Sequence, residues 1–237
     1  NKKQKVMKNS ETIRTKVFNL IILDESGSMD CVWAQTISNC NETLQTIFSA
    51  QKEFYATQDH FISIYTFQDA GPLKSRYLLR NRPIAEARML TAKDYRPNGC
   101  TPLYDAVGET LTDLEAVAET HDDAVASVTI ITDGEENSSR RYSGSDVAKI
   151  ISRLKEKGWN FNIIGANIDV ESLAKDLHID NTLKWEQTQE GTSSMGKKLN
   201  ESQRSYYRAM AEEEQMPMSM EEKISRRKMR NKHFFDK

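Results

Sequence analysis

The sequence predicts an α/β fold of the doubly wound, Rossmann-like, three-layer kind, a parallel sheet with helices on both faces. Three observations lead there. Short apolar runs alternate with stretches of amphipathic helical spacing, which is the pattern of βαβ units. The first run, Lys16-Val-Phe-Asn-Leu-Ile-Ile-Leu23, is apolar at nearly every position, as a strand covered on both faces requires. Polar, glycine-containing segments follow the apolar runs, where open α/β sheets carry their loops.

Taken in order, the strand at 16–23 is followed by a polar loop from Asp24 to Asp30. Trp33, Ile37, Cys40, Leu44, Ile47 and Phe48 then recur at three- and four-residue steps and predict one buried face of a helix. Phe61–Phe67 reads as the next strand, and residues 73–80 with 84–90 as a strand and a connection near a sheet edge, broken at Pro83. Leu103, Val107, Leu111, Leu114 and Val117 mark a second helix just after Pro102, a residue favoured in the first helical turn. A strand at 125–132 ends in Thr-Asp-Gly. A third helix through Val147, Ile150, Ile151 and Leu154 is stopped by Gly158. A strand at 161–166, a short helix at 172–177, a last strand at 182–186 and a final helix at 194–214 complete the domain, set at residues 14–214. Residues 1–13 read as a polar arm. Residues 215–237, with Met216, Met218, Met220 and then Arg226, Arg227, Lys228, Arg230 and Lys232, read as a basic, methionine-containing tail or a short separate helix.

Composition excludes several classes. With 237 residues, 38% hydrophobic and 29% charged, the chain is long enough for one full core and too apolar to be disordered throughout. A net charge of −2 gives no field that would draw nucleic acid to the domain, and no apolar run approaches the ~20 residues of a membrane span. Cys31, Cys40 and Cys100 are too few for a disulfide scaffold and show no zinc spacing, which places the chain in a reducing compartment such as the cytoplasm. The first residue is Asn1 rather than Met, so a removed signal peptide or a larger parent stays open.

Three segments meet the expectation that functional residues follow strands. They read Asp24-Glu25-Ser26-Gly27-Ser28-Met29, Pro97-Asn98-Gly99-Cys100-Thr101-Pro102 and Thr132-Asp133-Gly134-Glu135. Hard divalent cations take oxygen ligands, and Mg²⁺ keeps several waters in an octahedral shell. An Asp-x-Ser-x-Ser loop can aim three oxygens inward, and Thr101 and Asp133 can close the shell from neighbouring loops. The candidate ligands are thus Asp24, Ser26, Ser28, Thr101 and Asp133, a set rich in hydroxyls. Singly, these residues fit ordinary turns and helix caps. Glu25, Asp30, Asp105, Glu135 and Glu136 nearby read as solvated loop carboxylates or helix N-terminal charges.

The set Asp24-x-Ser26-x-Ser28, Thr101 and Thr132-Asp133-Gly134 resembles the metal-ion-dependent adhesion site of von Willebrand factor type A (vWA) domains. Ile21-Ile22-Leu23-Asp24-Glu25-Ser26-Gly27-Ser28-Met29 and Gly99-Cys100-Thr101-Pro102-Leu103-Tyr104-Asp105-Ala106-Val107 look like the family's two most recognisable blocks. Tyr95-x-Pro97-x-Gly99 looks like its intracellular, bacterial branch. The resemblance spans about residues 14–190 and implies a mainly parallel sheet with one antiparallel edge strand, which residues 73–80 can supply. It implies direct metal bonds from Ser26 and Ser28, a direct or water-mediated one from Thr101, and Asp24 and Asp133 behind bridging waters or with one of them bound directly.

A cation held by hydroxyls and waters keeps most of its charge and favours an outside carboxylate as its last ligand. The expectation is a binding module, not an enzyme. It holds Mg²⁺, or Mn²⁺ or Ca²⁺, and captures a protein partner through an Asp or Glu, in a cytoplasmic complex or beside an ATPase as some members of the family do. The rival reading is an Mg²⁺-dependent phosphatase or phosphotransferase of haloacid dehalogenase type with Asp24 as nucleophile. It lacks the second aspartate two residues on, where Ser26 stands. No G-x-G-x-x-G follows the first strand and no G-x-x-x-x-G-K-[ST] occurs, which removes dinucleotide and P-loop readings.

Overall fold

The apolar run at 16–23 forms the central strand β1 (Thr15–Asp24), and its side chains are buried on both sides in alternation. Val17, Ile21 and Leu23 enter one core, while Phe18, Leu20 and Ile22 enter the other. A computed structural model describes residues 14–70, 74–166 and 169–236. The expected polar arm of residues 1–13 lies outside the described residues.

The other strands are β2 (Gln58–Phe67), β3 (Arg76–Pro83), β4 (Ala124–Thr132), β5 (Asn160–Gly165) and β6 (Asn181–Lys184). They form a six-stranded sheet in the order β3-β2-β1-β4-β5-β6. β1 runs parallel to β2 and to β4, with Asp24 opposite Phe67 and Leu23 opposite Ile131. β3 is antiparallel to β2 at one edge. The strand occupies 76–83 instead of 73–80 and ends on Pro83; residue 73 lies outside the described residues. Asn81, at φ 46°, exchanges hydrogen bonds with Ser63 where the β2–β3 register shifts.

Helices α1 (Trp33–Glu53) and α5 (Gln189–Glu214) cover one face. Helices α2 (Leu103–Ala118), α3 (Gly144–Glu156) and α4 (Val170–Asp176) cover the other. Two helical expectations need adjustment. Trp33, expected on the buried face, is 39% exposed, because α1 begins there directly after a short 3-10 helix at Gly27–Val32. α5 begins at Gln189, five residues earlier than its apolar spacing suggests. Thr188 caps it by accepting from Gly191 N at 3.0 Å, and its first turns pack through small residues. A Cβ on Gly196 would stand 2.6 Å from the Asn39 carboxamide, so α5 lies hard against α1.

Residues 215–237, read as a tail or a short separate helix, contain a helix. Residues 220–231 form helix α6 (Met220–Asn231), which docks on the sheet's amino end. Arg227 is 3% exposed and bonds Asp123 at 2.8 Å, at the start of β4. Lys223 reaches the same carboxylate at 2.9 Å, Asn231 bonds Gly158 O at 3.0 Å, and Phe234 is buried against Tyr206. The basic run is thus half solvent face and half buried ion pair. Among the described residues no helix is long and apolar enough to cross a membrane.

Candidate metal centre

The strand order reverses at β1, which has β2 on one side and β4 on the other, and the crevice above that reversal is where such sheets bind ligands. β1 ends there on Asp24 and β4 on Thr132, immediately before Asp133. Asp24 is fully buried. Its Oδ1 accepts from Ser26 N at 2.7 Å and its Oδ2 from Thr132 Oγ1 at 2.6 Å. Ser26 begins the 3-10 helix in an extended conformation, which turns the chain so that its Oγ lies 3.1 Å from Ser28 Oγ. Ser28 Oγ donates to Asp133 Oδ1 at 2.8 Å. Thr101 arrives from the loop before α2, and a Cβ on Gly134 would stand 3.2 Å from its Oγ1. All five residues singled out in the sequence therefore gather at one rim of the sheet.

Backbone contacts tie the three loops together. Gly27 N donates to Gly99 O at 3.1 Å, Asn98 N to Glu25 O at 2.8 Å, and Asn137 N to Thr101 O at 3.2 Å, while Asn137 Oδ1 accepts from Thr101 N at 2.8 Å. Gly99 adopts φ +71°, and a Cβ there would meet Ala70 Cβ at 2.5 Å, so only glycine lets the second loop lie this close.

The donor set fits a hard divalent cation. It is all oxygen, with two carboxylates and three hydroxyls, and among the described residues no cluster of three or more His, Cys, Asp or Glu offers a competing kind of site. Burial pushes the Asp24 carboxyl up to about 6, more than its bonds from Ser26 and Thr132 lower it, and the nearby charge of Asp133 pushes the same way. A positive charge beside Asp24 would relieve that penalty.

No protein-family model matches the sequence, and no curated protein does. Solved structures do. The pilus adhesin SpaC of Lactobacillus rhamnosus GG superposes with a TM-score of 0.58 at 12% identity, over 79% of this chain and 30% of that one. A von Willebrand factor type A protein from Catenulispora acidiphila gives 0.52 at 16% identity, over 80% and 43%. Proximal thread matrix protein 1 of the mussel byssus, solved with zinc in its MIDAS motif, gives 0.51 at 11% identity, over 79% and 45%. The chain thus spans less than half the length of each of these proteins.

The fold is the vWA fold.

On this vWA scaffold, several residues read as solvated loop carboxylates or helix N-terminal charges are structural. Glu25 is fully buried, takes both terminal nitrogens of Arg76 at 2.7 and 3.1 Å and accepts from Arg96 N at 2.6 Å, pinning β3 and the second loop beneath the site. Asp105 accepts from the backbone N–H groups of Arg140, Arg141 and Tyr142, and Glu136 from those of Tyr104, Ser138 and Ser139. Both carboxylates tie the loop after β4 to the first turn of α2. Asp30 and Glu135 are exposed, as expected. The three cysteines are free, with Cys40 buried and Cys31 and Cys100 exposed.

Four supporting residues had no assigned role in the sequence. Thr132 holds Asp24, and the buried Tyr95 donates through its hydroxyl to Asp24 O at 2.6 Å. Asn137 pairs with Thr101, as above. Gln187 enters from the loop after β6 and donates from Nε2 to Ser28 O at 2.9 Å and to Asp133 Oδ2. Asn137 has no sequence signal. Gln187 has one, since it follows a strand at the same end of the sheet as the other three loops.

Proposed function

We propose that this chain is a binding module that docks an aspartate or glutamate of a protein partner on a divalent cation. Asp24, Ser26, Ser28, Thr101 and Asp133 hold the ion, Mg²⁺ in the first instance, with Mn²⁺ and Ca²⁺ as the other candidates. The carrying observation is the hydrogen-bonded run from Thr132 through Asp24, Ser26 and Ser28 to Asp133, in which hydroxyls outnumber carboxylates. Ser28 is exposed, whereas Asp24, Ser26, Thr101 and Asp133 are buried, so the cluster opens to solvent on the Ser28 side. A bound cation supplies one positively charged vertex to which an outside carboxylate can bond. The chain's residues preorganise that vertex. Thr132 and Ser26 N fix both oxygens of Asp24, Ser28 orients Asp133, and Asn137 holds Thr101. The zinc-occupied MIDAS of the byssus protein supports the metal; the hydroxyl-rich donor set supports the capture.

The phosphatase reading fits less well. Asp24 has no exposed surface and both its oxygens are held by chain donors, whereas an attacking carboxylate must face its substrate. Ser26 supplies no general acid. We therefore assign the chain no catalytic step. Free thiols, two of them exposed, support a partner met in a reducing compartment, the cytoplasm, within a protein complex or beside an ATPase.

Titration calorimetry with Mn²⁺ and Mg²⁺ tests the ligand set. The wild type is expected to bind, and Ser26→Ala/Ser28→Ala to lose roughly 100-fold or more in affinity, beyond the range seen when only supporting residues are removed. Unchanged affinity in the double variant overturns the assignment. Partner capture that persists in EDTA overturns the docking function.

A further inference from the structure

Gln187 reaches the metal loops from a side that none of the five candidate ligands uses. It lies in the loop at 185–188, between β6 and α5, and Thr188 beside it caps α5. Its amide donates to the Ser28 carbonyl at 2.9 Å and to Asp133 Oδ2, while Ser28 Oγ takes Asp133 Oδ1 at 2.8 Å. Each oxygen of Asp133 thus accepts a hydrogen bond from the chain itself. Asp24 is held the same way from below, by Ser26 N and Thr132 Oγ1.

We propose that Gln187 is a positioning residue that keeps Asp133 from bonding the cation directly, so that the site stays electron-poor and takes its charge from a partner's carboxylate. The proposal rests on the metal-docking reading above. Donors to a carboxylate draw off its negative charge and fix its direction, which makes it a weaker direct ligand. Gln187 bonds Asp133 and the Ser28 backbone together, so swinging Asp133 toward an ion breaks the bond to Nε2. With that donor removed, Asp133 is free to supply the charge itself. Metal binding then tightens while capture of an outside carboxylate weakens. A residue that only braced the loops would, on removal, weaken both.

Gln187→Met keeps the length of the side chain without its donor, and Gln187→Glu replaces the donor with an acceptor. Mn²⁺ affinity is read by calorimetry, and carboxylate capture by the paramagnetic broadening of ¹³C-acetate in the presence of Mn²⁺-loaded protein. Gln187→Met is expected to bind Mn²⁺ on the order of tenfold more tightly and acetate correspondingly more weakly, the scale of one charge-assisted hydrogen bond. Gln187→Glu is expected to shift both in the same directions. A second reading needs no variant. In the ¹⁵N spectrum of the wild type, the Gln187 side-chain amide protons should stay protected from exchange when Mg²⁺ is added. Loss of both affinities in Gln187→Met, no change in either, or release of the wild-type amide by Mg²⁺ overturns the role of Gln187 and leaves the metal site standing. A wild type that binds neither Mn²⁺ nor Mg²⁺ overturns both.

Discussion

His60 provides a stability test whose size can be worked from the structure. The ring sits in β2, 1% exposed, with its Nε2 2.9 Å from Gln58 Oε1 and the Tyr207 ring of α5 edge-on at 4.7 Å. Its Nδ1 has no partner among the described residues. Burial lowers its pKa to about 3, against a smaller opposing pull from Asp59, which is itself paired with Arg14 and Lys16. The folded state therefore refuses a proton that the unfolded chain accepts near 6.5. The unfolded state binds more protons between those values, so this contribution is complete above pH 6.5 and is lost as pH falls toward 3. The loss is about 2 kcal/mol at pH 5 and about 5 kcal/mol below pH 3. His60→Phe keeps a ring against Tyr207 and removes the titration. It leaves Gln58 Oε1 without its partner, an offset of ~1–3 kcal/mol that does not vary with pH. Urea unfolding of both proteins in EDTA at pH 8, 7, 6 and 5 gives the difference in stability, in which every other titrating group cancels. The wild type should lose about 2 kcal/mol relative to the variant between pH 8 and pH 5. A difference constant to a few tenths across that range would refute a neutral, buried His60.

Two further substitutions probe what positions the site and what docks the last helix. Arg227→Met leaves Asp123 buried beside Glu214, whose carboxyl burial already raises, and should cost about 3 kcal/mol in urea unfolding. That is the low end for a broken buried pair, because Lys223 keeps its own contact with Asp123; no loss would show that α6 adds nothing to the fold. Gly99→Ala must adopt φ +71° and place its Cβ against Ala70, so it should lower the melting temperature by several degrees, a cost of ~1–2 kcal/mol, and weaken Mn²⁺ binding by displacing Thr101. Unchanged Mn²⁺ affinity would show that the second loop does not position a ligand.

Strands and helices were legible where one rule governed them. β1 announces itself because both its faces are buried, so nearly every position from Val17 to Leu23 is apolar. α2 does so because Pro102 starts it and its buried face repeats cleanly. Four of the five clustered residues were legible because short-range spacing, Asp-x-Ser-x-Ser and Thr-Asp-Gly, fixes local loop geometry wherever those loops end up, and Thr101 was legible from its Gly-Cys-Thr-Pro block. α5 was legible only in part. Its first turns face α1 through glycine and small polar side chains, and close backbone approach leaves no apolar period to read.

The sequence by itself therefore determined the βαβ order, the central strand and the chemical character of the rim, because these depend on burial pattern and on contacts a few residues apart. The tertiary structure decided the rest. It sank Arg227 against Asp123, 104 residues away, docking the last helix on the domain. It buried Glu25 on Arg76, 51 residues on, and brought Gln187 across 54 residues to Asp133. A polar side chain reads as solvated in sequence because water is its default partner. Only the fold shows which of them have exchanged water for a distant residue of opposite charge or complementary hydrogen bonding.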